Sequence, residues 1–427
     1  MKSRIPEPKP IHAFTVTGHG LETLGQPHLA DAALQEEFLD AQRWDKYNRS
    51  NDPVAEKAAA REVAISGLIR YADRLTRQPS KESREQFTKA SIELYGEPDK
   101  AVVVDIVRKR LHDLDNFGPE QQKEVNFLRE FYSDQLKECS EETFETEIDQ
   151  NTVIEKLGES LQGRYGQIFE YIDGLDSDEN GPENLTTVFE EVLNWLSHHD
   201  DPGFSDWKVD ISEGTSTAVN TDEKTIIVAK NKPPVSRKQL KLLVTHEILT
   251  HVKRSVNGYK KGKLLGTGLP DYIDAEEGLA TLSEKAVAGD YSEKDPVHYH
   301  LIAFALGSLN GKQMTRGELF MVARAEAILA ESKKEKEVDY QKIEDKCWKK
   351  VARYYRGSKG EDNADGTQAI FTKDIAYYQG YIKVVGFINE KLAAGHSIDD
   401  IHDYLTQGKF DPTNPSHTAF EGLEDLR

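Results

Sequence analysis

The chain has 427 residues, 37% of them hydrophobic and 30% charged, enough for one large or two ordinary soluble domains. Seventy-five acidic residues against fifty-five basic ones give a net charge of −20, which opposes nonspecific binding to nucleic acid or to an anionic membrane. No apolar run approaches the roughly eighteen residues that span a bilayer, so neither nucleic acid nor membrane is an expected partner.

The opening Met-Lys-Ser-Arg-Ile-Pro-Glu-Pro-Lys-Pro is charged but has no apolar segment behind it, which predicts no secretory leader and a cytoplasmic location. Cys139 and Cys347 are the only cysteines. They lie outside any metal-ligand spacing and suit a reducing compartment without a disulfide. Apolar residues recurring at three and four, in segments rich in Ala, Leu, Glu, Lys and Arg, predict helices over Leu34 to Tyr47, Ala55 to Arg77 and Ser83 to Tyr95. The same pattern predicts helices over Val102 to Leu114, Pro119 to Lys137 and Ile154 to Tyr171. The acidic, turn-rich stretch from Asp173 to Glu183 then reads as an exposed loop. It places a boundary between a helical N-terminal region, 1–183, and a second region, 184–427. Its Asp176-Ser-Asp-Glu-Asn-Gly resembles a calcium loop, but Thr187 stands where the bidentate Glu is needed.

A helix over Thr186 to Ser197, ending in His198 and His199, leads into two strand-like runs, Trp207 to Ile211 and Thr225 to Ala229. Asn220-Thr-Asp-Glu223 is the turn before the second run. A small sheet of this kind offers an edge that can pair with extended peptide backbone. Pro233 and Pro234 stop the strand, and Ser236 with Gln239 forms a capping box. The box opens a helix whose Leu240, Leu243, Val244, Ile248 and Leu249 face a core. From Lys230 to Lys263 there are ten Lys or Arg and one acid, Glu247, about +9 with neutral histidines. Such a stripe either focuses the field on an anionic ligand or is a solvated face.

Within that helix stands His246-Glu-Ile-Leu-Thr-His251, and Glu277 follows twenty-six residues later in Asp-Ala-Glu-Glu-Gly-Leu-Ala. Two imidazoles and a carboxylate are donors that zinc accepts, leaving a fourth position for water. His246, His251 and Glu277 are therefore candidate ligands of one Zn2+ per chain, and Glu247 the general base. The spacing is a difficulty. Histidines at i and i+5 diverge by about 140° on an α-helix, against about 40° at i and i+4. A wide turn of the π type inserts one residue and restores a common face, so a π-bulge is predicted between His246 and His251. Glu277 has a structural alternative, a capping box with Asp274. Glu284, seven residues on, suits an acceptor for a ligand histidine or a solvated charge.

The ordered motifs Asn257-Gly258, Gly268-Leu-Pro270, Glu277-Gly-Leu-Ala280, Arg353-Tyr-Tyr-Arg-Gly357 and Phe371-Thr-Lys-Asp-Ile-Ala-Tyr377-Tyr-Gln-Gly380 accompany the HExxxH segment. Together, from Trp207 to Val385, they resemble the microtubule-associated tyrosine carboxypeptidase family. Its bacterial members carry a Gln-Glu-Gly-Leu-Ala motif, and here Glu276 replaces the Gln. The resemblance implies a zinc metallocarboxypeptidase that removes a C-terminal aromatic residue, with zinc on His246, His251 and Glu277. It implies a peptide or protein C-terminus as partner. The fold expected is α+β, mainly α: a helical N-terminal part followed by a zincin-like catalytic domain with a small sheet.

For such chemistry Tyr377 is the candidate oxyanion donor, the alternative being a core aromatic at helical spacing from Tyr381. Arg353, Arg356 and Lys373 are candidate readers of the terminal carboxylate, or partners in structural ion pairs. His298 and His300 belong to the first turn of a helix after Asp295-Pro296 and are read as structural. Two other functions fit the same segment: an aminopeptidase or dipeptidyl-peptidase with an HExxxH helix, and a non-catalytic regulatory zinc protein.

Overall fold

A computed structural model describes residues 67–426, apart from 69, 73, 76, 78, 138, 140–148, 214–216, 293–296, 334–337, 356–364 and 421. The helix predicted over Leu34 to Tyr47 lies outside the described residues, as do much of that over Ala55 to Arg77 and the Asp295-Pro296 cap. The described chain is α+β and mainly α. Over residues 81–199 the α-helices are α1 (Lys81–Tyr95), α2 (Lys100–Asp113), α3 (Gln122–Leu136), α4 (Gln150–Asp173) and α5 (Pro182–His199). Side chains satisfy free backbone N–H groups of the first turn at the starts of α1, α2 and α4. The Ser80 hydroxyl accepts from Ser83 and the Asp99 carboxylate from Ala101 and Val102. Pro182 opens α5. At the end of α5, His198 and His199 turn their Nδ1 atoms to the carbonyls of Asn194 and Trp195 at 2.7 and 2.8 Å, a helix end as predicted.

The sheet has three strands, β1 (Lys208–Ser212), β2 (Ala218–Asn220) and β3 (Thr225–Ala229), in the order β1-β3-β2. β3 pairs in parallel with β1, Val209 opposite Ile226, and antiparallel with β2, Val219 opposite Ile226. The central strand is buried on both faces and accordingly reads as an unbroken apolar run, Thr-Ile-Ile-Val-Ala. β2 has no counterpart in the sequence reading, because three residues are too few for an alternating pattern to register.

After the sheet come α6 (Arg237–Leu243), a π-helix (Val244–Val252), α7 (Lys253–Lys261), α8 (Lys263–Thr267) and α9 (Ile273–Ala288). They are followed by α10 (Val297–Leu306), α11 (Arg316–Ser332), α12 (Tyr340–Tyr354), α13 (Ile375–Ala393), α14 (Ile398–Leu405) and α15 (Pro415–Thr418). One core joins α4, α5 and the sheet to the π-helix, α9, α13 and α14 through residues such as Phe169, Phe189, Val228, Ile248, Leu282 and Val384. A second core joins α2 and α3 to α10, α11 and α12. The acidic loop after α4 is tied to the start of α6, since Asp178 receives the backbone N–H of Arg237 and Asp173 pairs with Lys241 at 2.7 Å. His298 bonds the Tyr354 hydroxyl at 2.6 Å and His300 bonds Glu326 at 2.8 Å, both structural as read from the sequence.

Candidate metal centre

The capping box of Ser236 and Gln239 starts α6 as predicted. After the seven residues of α6 the backbone widens to π geometry over Val244–Val252. The predicted bulge is thus present, and it extends to nine residues. Every one of these residues except His246 is buried, so packing supports a backbone that is rarely stable in isolation. Thr250 adds a local tie, its hydroxyl donating 3.0 Å to the carbonyl of Thr245 five residues back. With i to i+5 bonding, His246 and His251 become neighbours one turn apart. Their ring centroids lie 4.8 Å apart, and donor atoms of His246, Glu247 and His251 all fall within 4.8 Å of one another.

Glu277 approaches from α9. Its Oε2 is 3.6 Å from His246 Nε2, and that oxygen is buried without a hydrogen-bond partner. The capping-box alternative does not form, because α9 starts at Ile273 with Tyr272 as its uncapped N-terminal residue. Two glycines fix the approach of α13 to α9. A Cβ on Gly278 would lie 2.1 Å from the Gly380 carbonyl carbon, and a Cβ on Gly380 would lie 1.8 Å from the Asp274 carbonyl oxygen. Backbone therefore meets backbone at this crossing. Tyr377, one turn before Gly380, is carried to the acids: the charge of Glu277 first, then burial, then Asp374 and, more weakly, Glu247 push its phenol far above the ordinary value. It holds its proton and can donate.

Carboxylates stand behind both histidines. His246 Nδ1 stands 2.9 Å from Glu284 Oε1, on the next turns of α9, close enough for an ion pair but without a hydrogen bond. His251 Nδ1 bonds Glu276 Oε1 at 2.6 Å. Glu276 was legible only as an added charge in the motif; that it holds His251 depends on the crossing of two helices. Burial would raise the Glu276 carboxyl, but Lys409 at 2.8 Å, Arg254 at 3.1 Å and His251 hold it far below the usual carboxylate range. Burial also opposes charge on His246 and on Glu277, yet each favours the other's charged form, so the imidazole is raised and the carboxyl lowered. Imidazole nitrogen and carboxylate oxygen are donors that suit zinc.

The predicted substrate-binding cations divide. Arg353 pairs with buried Asp374 at 2.8 Å. That ion pair anchors the residue before α13, three positions from Tyr377. Lys373 places its ammonium over the Tyr95 ring, 5.8 Å from the centroid, on α1. Arg356 lies outside the described residues. The basic stripe is largely neutralised by acids from distant elements. Lys230, Arg237, Lys241, Lys253, Arg254, Lys260 and Lys261 pair with Glu213, Asp178, Asp173, Asp200, Glu276, Asp201 and Glu424. Lys232, on the turn between β3 and α6, is different. It is half-buried, burial pushes its ammonium down, and the one charge that raises it is that of Glu247.

Residues 121–293 match the model of a family described as microtubule-associated tyrosine carboxypeptidase. The resemblance carried by the motifs is borne out over that stretch, which includes both histidines, Glu247 and Glu277 and ends before Arg353 and Tyr377. The matched family is one of carboxypeptidases, and the match supports peptidase chemistry. Searches of curated proteins and of solved structures found no match.

Proposed function

We propose that the protein, whose residues 121–293 match the tyrosine carboxypeptidase family model, is a cytoplasmic zinc-dependent metallocarboxypeptidase removing a C-terminal aromatic residue, Tyr or Phe, from a peptide or protein. One observation carries the reading. The π-helix turns His246 and His251 to one face, where Glu277 presents a buried oxygen that has no hydrogen-bond partner, 3.6 Å from His246 Nε2. Such an oxygen is costly to bury unless a cation meets it. His246, His251 and Glu277 would hold the zinc. When bound, the metal supplies an acidified water and polarises the scissile carbonyl.

The remaining steps belong to the chain. Glu247 takes the proton of the attacking water and passes it to the leaving amine. Tyr377 donates its phenolic hydrogen to the developing oxyanion. Lys232, near Glu247 and without an ion-pair partner among the described residues, supports a role in reading the terminal carboxylate. Arg353 is committed to Asp374 and acts by holding the start of α13.

The test combines zinc content per chain with mass spectrometry of peptides ending in Tyr. The wild type should release the C-terminal Tyr. Glu247→Gln should keep its zinc and lose activity by about 10²- to 10⁴-fold, the usual contribution of a general base. Cleavage from the N-terminus, or bound zinc with intact peptides, would overturn the carboxypeptidase reading.

A further inference from the structure

We propose that Glu276 is a positioning residue, which holds His251 in the tautomer and orientation needed to ligate a metal through Nε2. The inference rests on the zinc reading above and adds a residue that the motif places beside the ligand Glu277 without a role. A carboxylate only accepts hydrogen bonds, so the 2.6 Å contact requires His251 to donate from Nδ1. That leaves the Nε2 lone pair for a metal.

Glu276 is itself fixed at both oxygens. Oε1 also receives Lys409 Nζ at 2.8 Å, and Oε2 receives Arg254 Nη1 at 3.1 Å. The two cations are anchored in turn by one short segment of chain. Arg254 donates to the carbonyls of Gly408 and Phe410 at 2.9 and 2.6 Å, while the backbone of Lys409 bonds Leu265 and Leu269 at 2.8 and 2.9 Å. Glu276, Arg254, Lys409 and His251 are all buried. The imidazole is thus clamped through a carboxylate to residues 408–410, distant in sequence. His246 has a looser support, since its Nδ1 makes no hydrogen bond to the half-buried Glu284 beside it.

Removing the carboxylate alone would strand two buried cations and confuse folding with metal binding. The decisive variant therefore pairs Glu276→Met, which cannot accept from His251 as a Gln amide oxygen still would, with Lys409→Met, so that one charge of each sign is removed. Zinc affinity, measured by competition with a chelator, should fall about 10- to 100-fold in Glu276→Met and in the double variant, the range for losing such a partner. Thermal melting of the zinc-free proteins should show the double variant restored toward wild type. A folded double variant with wild-type zinc affinity overturns the inference alone. A wild-type chain that takes up no zinc overturns the proposed function, and this inference with it.

Discussion

Tyr377 meets the charges of Glu277, Asp374 and Glu247 as a protonated phenol. If it stabilises an oxyanion, Tyr377→Phe should lower kcat by about 10²- to 10³-fold and leave KM and zinc content nearly unchanged. Steady-state kinetics on a Tyr-terminated peptide decide this, and an unaltered kcat would return Tyr377 to the core aromatics. His402 presents a separate residue-scale case. It is buried on α14, and burial first, then the charges of Arg164 and Lys253, push its imidazole down to about 3. Its folded value lies below its unfolded value near 6.5, so between those values the unfolded chain binds the extra proton. Stability from this group is therefore full above about pH 6.5 and is lost as pH falls toward 3. Glu326, lowered to about 2 although burial alone would raise it, by Arg110 and His300, loses its contribution in a lower window, from about 4.5 down to 2. Melting temperature should thus decline from pH 7 to pH 5, and His402→Gln should flatten that decline without touching the steeper fall below it.

At the scale of elements, the crossing of α9 and α13 depends on two positions without a side chain. Gly380→Ala sets a methyl against the Asp274 carbonyl oxygen, and the helices must separate to admit it. The expected cost is about 1–3 kcal/mol or more, read as a lower melting temperature together with weaker activity, since Glu277 and Tyr377 ride on the two helices. Gly386→Ala, in α13 with no heavy atom within 4 Å of the added carbon, is the control. It should be neutral or stabilising by about 0.5–1 kcal/mol, because Ala is the better helix former. Equal destabilisation by both substitutions would mean that the close crossing is unimportant. The π-helix shows the same dependence on surroundings. Its need was readable from the i and i+5 histidines, but its nine-residue extent follows from burial on nearly all sides.

For the whole molecule, the question is whether residues 184–427 fold alone, as the loop near 183 suggests. Both cores draw on residues from either side of that point. Val153, Leu157 and Phe169 pack with the π-helix and α9, and Val103, Leu128 and Tyr132 pack with α10 and α11. A chain starting at 184 would expose these apolar faces, each fully buried large side chain being worth about 1.5–3 kcal/mol. It should give no cooperative melt and no zinc uptake, whereas a stable, zinc-binding 184–427 fragment would show that the N-terminal helices are accessory.

The histidine pair, its π turn and the nearness of Glu247, Glu277 and Glu284 to it were all readable in the chain, because each depends on spacing along one or two helices. So were the sheet's central strand and most helices, whose caps and periodicity are local. The tertiary structure alone decided what lies across elements. It placed Glu276 under His251, tied Arg254 and Lys409 to that carboxylate, neutralised the basic stripe with distant acids, and committed Arg353 to Asp374. The physical reason is range. Periodicity and capping act over a few residues, whereas the partner of a buried charge is whichever opposite charge the packing brings within about 3 Å, at a separation in sequence, 133 residues between Glu276 and Lys409, that no local pattern records.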